Sequence, residues 1–144
     1  MSTAHLSAFS PAKINLFLHV TGRREDGYHL LQSVFCPITL GDEVDLTLEN
    51  SKSGQLEISR TGDLIHIPEE TDLTVRACKA FYANANVGQA HRVNIQVRKQ
   101  VPEQAGLGGG SSNAATVLRF LQTHHNDPIS PEKLAAIGLT LGAD

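Results

Sequence analysis

Cysteine, charge and long apolar runs are all in short supply in this chain. Its 144 residues contain two cysteines, Cys36 and Cys78. They sit in separate apolar runs, one strand-like and one helix-like, without the spacing of a metal site or a redox pair. Both are expected as buried free thiols rather than as a disulfide. Lys and Arg total 12 against 15 Asp and Glu, a net charge of −3. That balance gives no reason to expect nucleic acid or an anionic membrane as a partner. No stretch approaches the ~20 apolar residues needed to cross a bilayer. The opening MSTAHLSAF has neither the basic start nor the apolar core of a signal peptide, so the cytoplasm is the expected location. Repeats, low-complexity tracts and linkers are also missing.

What remains is the composition of one globular domain, 40% hydrophobic and 19% charged, long enough to bury a core. Residues 13–20 alternate: Ile14, Leu16, Leu18 and Val20 share one face, expected inward, opposite Lys13, Asn15, Phe17 and His19. After turn chemistry at residues 22–27, residues 30–38 read as the returning strand. Residues 44–48 alternate again, with residues 56–59 as a short partner strand beyond the next turn. Residues 72–85 carry helical spacing through Leu73, Ala77, Ala80 and Phe81. A further strand over residues 92–98 turns Val93, Ile95 and Val97 inward. The sequence Ser130-Pro131-Glu132 is a cap with proline at the first helical position, and the helix it starts is ended by Gly142. The double histidine His124-His125 is expected at a solvated helix end. This pattern fits a single α+β domain, with helices gathered on one side of a largely antiparallel sheet.

The run Gly106-Leu107-Gly108-Gly109-Gly110-Ser111-Ser112-Asn113-Ala114-Ala115 stands apart. Four glycines in five positions remove side-chain bulk and permit positive φ, so a loop can turn its amides inward. Ala114, Ala115, Leu118 and Leu121 then recur at helical spacing. The helix is expected over residues 112–124, with Ser111 or Ser112 able to cap it. A glycine-rich loop feeding a helix N-terminus is an anion site, and the first turn lacks the acidic residue that would complement the helix dipole. A Walker A loop would need Lys where Gly110 stands. The dinucleotide pattern fails as well: Asp127, at about the right distance, falls in a loop before Pro128 rather than at a strand end.

The stretch PEQAGLGGGSSNAA, beginning at Pro102, resembles the phosphate-binding motif of the GHMP small-molecule kinases. Two further segments, Pro11-Ala12-Lys13-Ile14-Asn15-Leu16 and Gly27-Tyr28-His29, extend the resemblance over nearly the whole chain. It implies the N-terminal domain of that family, a ribosomal-protein-like two-layer α/β sandwich. It also implies more of this domain beyond residue 144 and then a second, ferredoxin-like domain. Residues 1–144 thus read as a truncated N-terminal ATP-binding domain, expected to be inactive alone.

The activity implied is transfer of a phosphoryl group from ATP to an alcohol. The acceptor implied is the 2-hydroxyl of a cytidine diphosphate sugar alcohol of non-mevalonate isoprenoid biosynthesis. ATP would be held by Lys99, Pro102, Glu103, Gln104, Ala105, Gly106, Leu107, Gly108, Gly109, Gly110, Ser111 and Ser112. Magnesium is expected with it, with ligands unassigned. Lys13 and Asp144 resemble the catalytic pair: Lys13 would polarise the accepting hydroxyl, and Asp144 would orient or deprotonate it. Asn15 would hold the same end of the substrate. Tyr28 and His29 would recognise the cytosine base by stacking and hydrogen bonding. One departure stands at Asp72, where the family usually shows Asn; its carboxylate can cap the helix equally well. The competing readings are another GHMP kinase, acting on an alcohol without a base, and a non-catalytic nucleotide-binding domain. No pattern in the chain specifies an oligomeric state.

Overall fold

The computed structural model describes residues 3–89 and 91–142. The elements run β1 (Ala4–Arg23), β2 (His29–Asn50), β3 (Glu57–Gly62), α1 (Leu73–Asn84), β4 (His91–Arg98), α2 (Gly109–His124) and α3 (Pro131–Leu141). The four strands form one sheet in the order β1-β2-β4-β3. Its β1–β2 and β2–β4 pairs are antiparallel, and β3–β4 is parallel. The expected α+β architecture with a largely antiparallel sheet is what forms.

The core lies where β2 and β4 meet the helices. Val44, Leu46 and Leu48 alternate along β2, and Val93, Ile95 and Val97 along β4. All six are buried against Val75, Cys78 and Phe81 of α1 and Val117, Leu118 and Leu121 of α2. The opposite face of these strands carries charge pairs such as Arg92–Glu49 at 3.3 Å. Both outer helices start as the sequence predicts. Asp72 caps α1, accepting from the Thr74 amide, and Ser130 caps α3, accepting from the Lys133 amide ahead of Pro131.

Three strand readings need correction. Residues 30–38 and 44–48 are not separate strands but parts of the single 22-residue β2. The segment after the second turn, β3, pairs in parallel with β4 rather than with the strand before it, because parallel pairing is a non-local choice. The stripe Ile14, Leu16, Leu18 and Val20 does not face a core: Leu16 is 61% exposed and Leu18 55%. Beyond Ala12, β1 pairs with the first part of β2 as a two-stranded arm whose aliphatic side chains are largely exposed. Register shifts between Asn15 and Leu18 and between Val20 and Gly22 also interrupt the alternation.

Both cysteines are free. Cys78 is buried, and burial pushes its thiol up to about 12, which leaves it an inert apolar filler. Cys36, expected buried, is half-exposed on the arm. Of the double histidine, His124 is exposed in the last turn of α2 as expected, while His125, the C-cap residue, is half-buried. Its Nε2 lies 2.9 Å from the Tyr82 hydroxyl, and its ring stacks 5.8 Å from Phe81 and meets His91 at 4.8 Å. Burial, then the neighbouring His91 and His124, push the His125 pKa down to about 4. Burial likewise lowers His91.

Two predictions follow from this core. Phe81 is fully buried, so Phe81→Ala should cost about 3–5 kcal/mol in urea unfolding at neutral pH. His91 and His125 titrate lower folded than unfolded, so the unfolded chain takes up protons first. Their contribution should be intact above about pH 6.5 and fall as the pH drops toward 4. A urea midpoint lower at pH 5 than at pH 7.5, with a smaller drop in His125→Phe, is the expected result.

Candidate functional site

The glycine run lets α2 begin earlier than its serines suggest. Neither Ser111 nor Ser112 caps the helix: Gly108, in the left-handed region at φ 69°, is the N-cap residue, and no side chain bonds to the helix start. The first helical bond runs from the Ser112 amide to the Gly108 carbonyl at 2.9 Å. The amides of Gly109, Gly110 and Ser111 therefore precede the helical ladder, with no acidic residue in the first turn. A side chain at residue 109 would crowd its neighbours, since its Cβ would lie 3.0 Å from Val101 Cγ1 and 3.3 Å from the Lys99 ammonium. The helix start is thus marked by a left-handed glycine rather than by a capping side chain.

These amides open onto a pocket of ≈ 620 Å³. Lys99, Pro102, Glu103, Gln104, Ala105, Gly106, Leu107, Gly108, Gly109, Gly110 and Ser111 all line it. The facing wall comes from the segment after β3, with Leu64, Ile67, Pro68 and Asp72. That segment has little regular structure and is held by Arg60, whose Nη1 donates to the carbonyls of Leu64 and Ile67 and to Asp72. His66 and Glu103 bridge the two walls at 3.1 Å. Asp72 is buried between Arg60 and Thr74, so its carboxylate is already engaged where it meets the pocket. Ser112 parts company with Ser111: it accepts from the Ser10 hydroxyl at 2.9 Å and is not among the pocket residues.

Asp42 is the residue that sequence reasoning missed. It is fully buried on β2. It accepts from Lys99 Nζ at 2.6 Å, the Gln100 and Val101 amides at 2.8 and 2.9 Å, and Asn113 Nδ2 at 3.0 Å. Burial alone would raise this carboxyl; Lys99 and the three other donors outweigh it, and the net shift is downward from 3.8. Lys99 is thereby half of a largely buried pair, with its side chain 15% exposed. Nothing in residues 40–43 marks such a carboxylate in advance.

On the other side of the loop stands Lys13. Its amide donates to the Leu107 carbonyl at 2.9 Å, and its ammonium donates to Asn15 Oδ1 at 3.1 Å. The same ammonium lies 5.0 Å from the centre of the Phe35 ring, within cation–π range. Lys13, Asn15 and the glycine loop are therefore brought together. Tyr28 and His29 are placed at the tip of the arm, where Tyr28 is 66% exposed and its amide is held by Asp26. Neither lines the pocket. Asp144 lies outside the described residues. Among the described residues, no cluster of three or more His, Cys, Asp or Glu could hold a metal ion.

The chain that carries this glycine-built helix start and strand lysine has known relatives. The profile of the GHMP kinases N terminal domain matches residues 72–144, and the chain belongs to this family. It is 47% identical over 135 residues to a 4-diphosphocytidyl-2-C-methyl-D-erythritol kinase of Burkholderia thailandensis, covering 94% of this chain and 44% of that one. To the protein of the same name in Variovorax paradoxus it is 50% identical, over 94% of this chain and 43% of that one. A crystal structure of a 4-(cytidine 5'-diphospho)-2C-methyl-D-erythritol kinase superposes with a TM-score of 0.72 at 39% identity, covering 96% and 47% of the two chains. A homoserine kinase from Cytophaga hutchinsonii, at 20% identity and a TM-score of 0.60 over 95% and 40%, shares the fold. The chain spans less than half the length of these relatives.

The loop geometry carries a prediction of its own. A Cβ at Gly108 would lie 3.0 Å from Lys13 Cγ and Cε, in a left-handed conformation. Gly108→Ala should therefore destabilise the protein by about 1–2 kcal/mol in thermal or urea unfolding. It should also move the Lys13 side chain, read as altered chemical shifts at Lys13 and Asn15.

Proposed function

We propose that residues 1–144 form the nucleotide-binding part of an ATP-dependent kinase. This kinase would phosphorylate the 2-hydroxyl of 4-diphosphocytidyl-2-C-methyl-D-erythritol in the cytoplasm. One observation carries the reading: the uncapped, acid-free start of α2 opens onto a nucleotide-sized pocket, with Lys13 bonded to the same loop. Relatives of that name, at 47–50% identity, support the choice of acceptor.

The amides of Gly109, Gly110 and Ser111, with the positive end of the helix dipole, would take the phosphate oxygens. The adenosine end would lie against Leu64, Ile67 and Pro68. Lys13 would polarise the accepting hydroxyl, which Asn15 helps to orient. That oxygen attacks the γ-phosphorus, its proton passes to the Asp144 carboxylate, and the bond to the ADP oxygen breaks. Tyr28 would stack on the cytosine and His29 would bond to its polar edge. The hard oxygens of Glu103 and Ser111, both on the pocket wall, suit a magnesium ion arriving with the triphosphate. That ion would neutralise charge on the phosphates.

ATP binding is tested by calorimetry on the 144-residue chain. Turnover is tested as ADP release in a chimera in which this chain replaces the matching portion of the Burkholderia thailandensis relative. Lys13→Ala and Asp144→Asn should each lower kcat by about 10²-fold or more with ATP affinity nearly unchanged. Tyr28→Ala should raise KM for the cytidine substrate by about tenfold, the order of one lost base-stacking contact. A Lys13→Ala chimera with near-normal kcat would remove Lys13 from the mechanism. Equal rates on an acceptor lacking the base would overturn the cytidine assignment.

A further inference from the structure

We propose that Asp42 is the positioning residue of the phosphate loop, closing it at its neck and fixing the Lys99 ammonium against the first turn of α2. The role assigned to the loop rests on the nucleotide-binding reading above. The loop leaves the sheet after Arg98 and returns as α2, and the described bonds along its length are few. The Leu107 carbonyl is held by the Lys13 amide, and the Gly108 carbonyl by Ser112. Glu103 meets His66 at 3.1 Å, the Lys99 amide donates to Asp63 Oδ2 at 2.8 Å, and Ser10 donates to Ser112 at 2.9 Å. Asp42 is the group that ties the two flanks to each other. The Gln100 and Val101 amides enter Asp42 Oδ1 from the strand side, while Asn113 Nδ2 and Lys99 Nζ enter Oδ2. A carboxylate offers about four lone-pair sites, and here each has a donor.

Two details tie this cluster to the pocket rather than to general packing. The Lys99 ammonium stands 3.3 Å from where a Gly109 side chain would begin, beside the first amides of α2. Asn113 is 1% exposed and its Oδ1 has no partner. A buried amide with one orphaned end is costly, and its described side-chain hydrogen bond is the one to Asp42. Asp42 therefore sets the separation of the strand end and the helix start, and with it the spread of the amides between them.

The test compares Asp42→Asn with Asn113→Ala. The first keeps an oxygen for the two backbone amides and removes the ionic partner of Lys99. The second removes the tie from the helix side and leaves the ion pair. Two readouts are taken: hydrogen exchange of the ligand-free protein, and titrations with ATP and with adenosine. Both variants should speed exchange in residues 102–111 by about tenfold, with residues 91–98 unchanged. Both should weaken ATP by about tenfold while adenosine shifts by less than about twofold, because adenosine has no phosphate to misplace. Equal weakening of ATP and adenosine, or unchanged loop exchange in a folded variant, overturns the proposal. If Asp42→Asn does not fold, Asn113→Ala decides by the same criteria. Unmodified protein that binds neither ATP nor adenosine refutes the nucleotide reading alone, and the exchange data then settle the pinning of the loop.

Discussion

A carboxylate taken out of water costs several kcal/mol unless its lone pairs are filled by donors, and charged donors most of all. In this fold the burial of Asp42 is offset by an ammonium, two backbone amides and a carboxamide drawn from three directions. The requirement works both ways. Asp42 cannot remain buried without the strand end at residues 99–101 and the helix at Asn113, and those groups lose their acceptor without Asp42. Sheet, loop and helix are thereby fixed to a common point, and the glycine run is strung between anchored ends. Flexible residues in the loop are tolerable because their boundaries are rigid.

The site has two sides that meet along one short contact. The pocket side belongs to the loop, to α2 and to the wall stapled by Arg60. The other side belongs to β1, where Lys13 bonds to Asn15 and lies over the aromatic ring of Phe35. The contact is the backbone bond from Lys13 to Leu107, reinforced by the lysine stem lying over Gly108. The arm then carries Tyr28 and His29 away from the helices, with its aliphatic residues exposed.

Local rules made much of this legible in advance. Asp72 and Ser130 are caps because their side chains accept from amides two or three residues onward, a relation written within four positions of sequence. The alternation of Val93, Ile95 and Val97 needed only one covering layer, and it has one. Glycine clustering located the loop through steric permission alone. What failed depended on partners far along the chain. The alternation at residues 14–20 reports an apolar face without saying what covers it. β3 reads as a strand but not as the parallel neighbour of β4. Asp42 carries no signal of its own in the sequence, because its donors lie at residues 99, 100, 101 and 113. His125 reads as a solvated end until Tyr82 and His91 close around it.

The bond between the Lys13 amide and the Leu107 carbonyl has a thermodynamic consequence. A hydrogen bond that belongs to both sides of a site cannot be strengthened for one occupant and left untouched for the other. Whatever factor a nucleotide imposes on acceptor affinity through this bond, the acceptor must impose on nucleotide affinity. Under the proposed reading the order in which two such ligands arrive would be a matter of rates, while any coupling carried by this backbone contact between a strand and a loop would act equally on both.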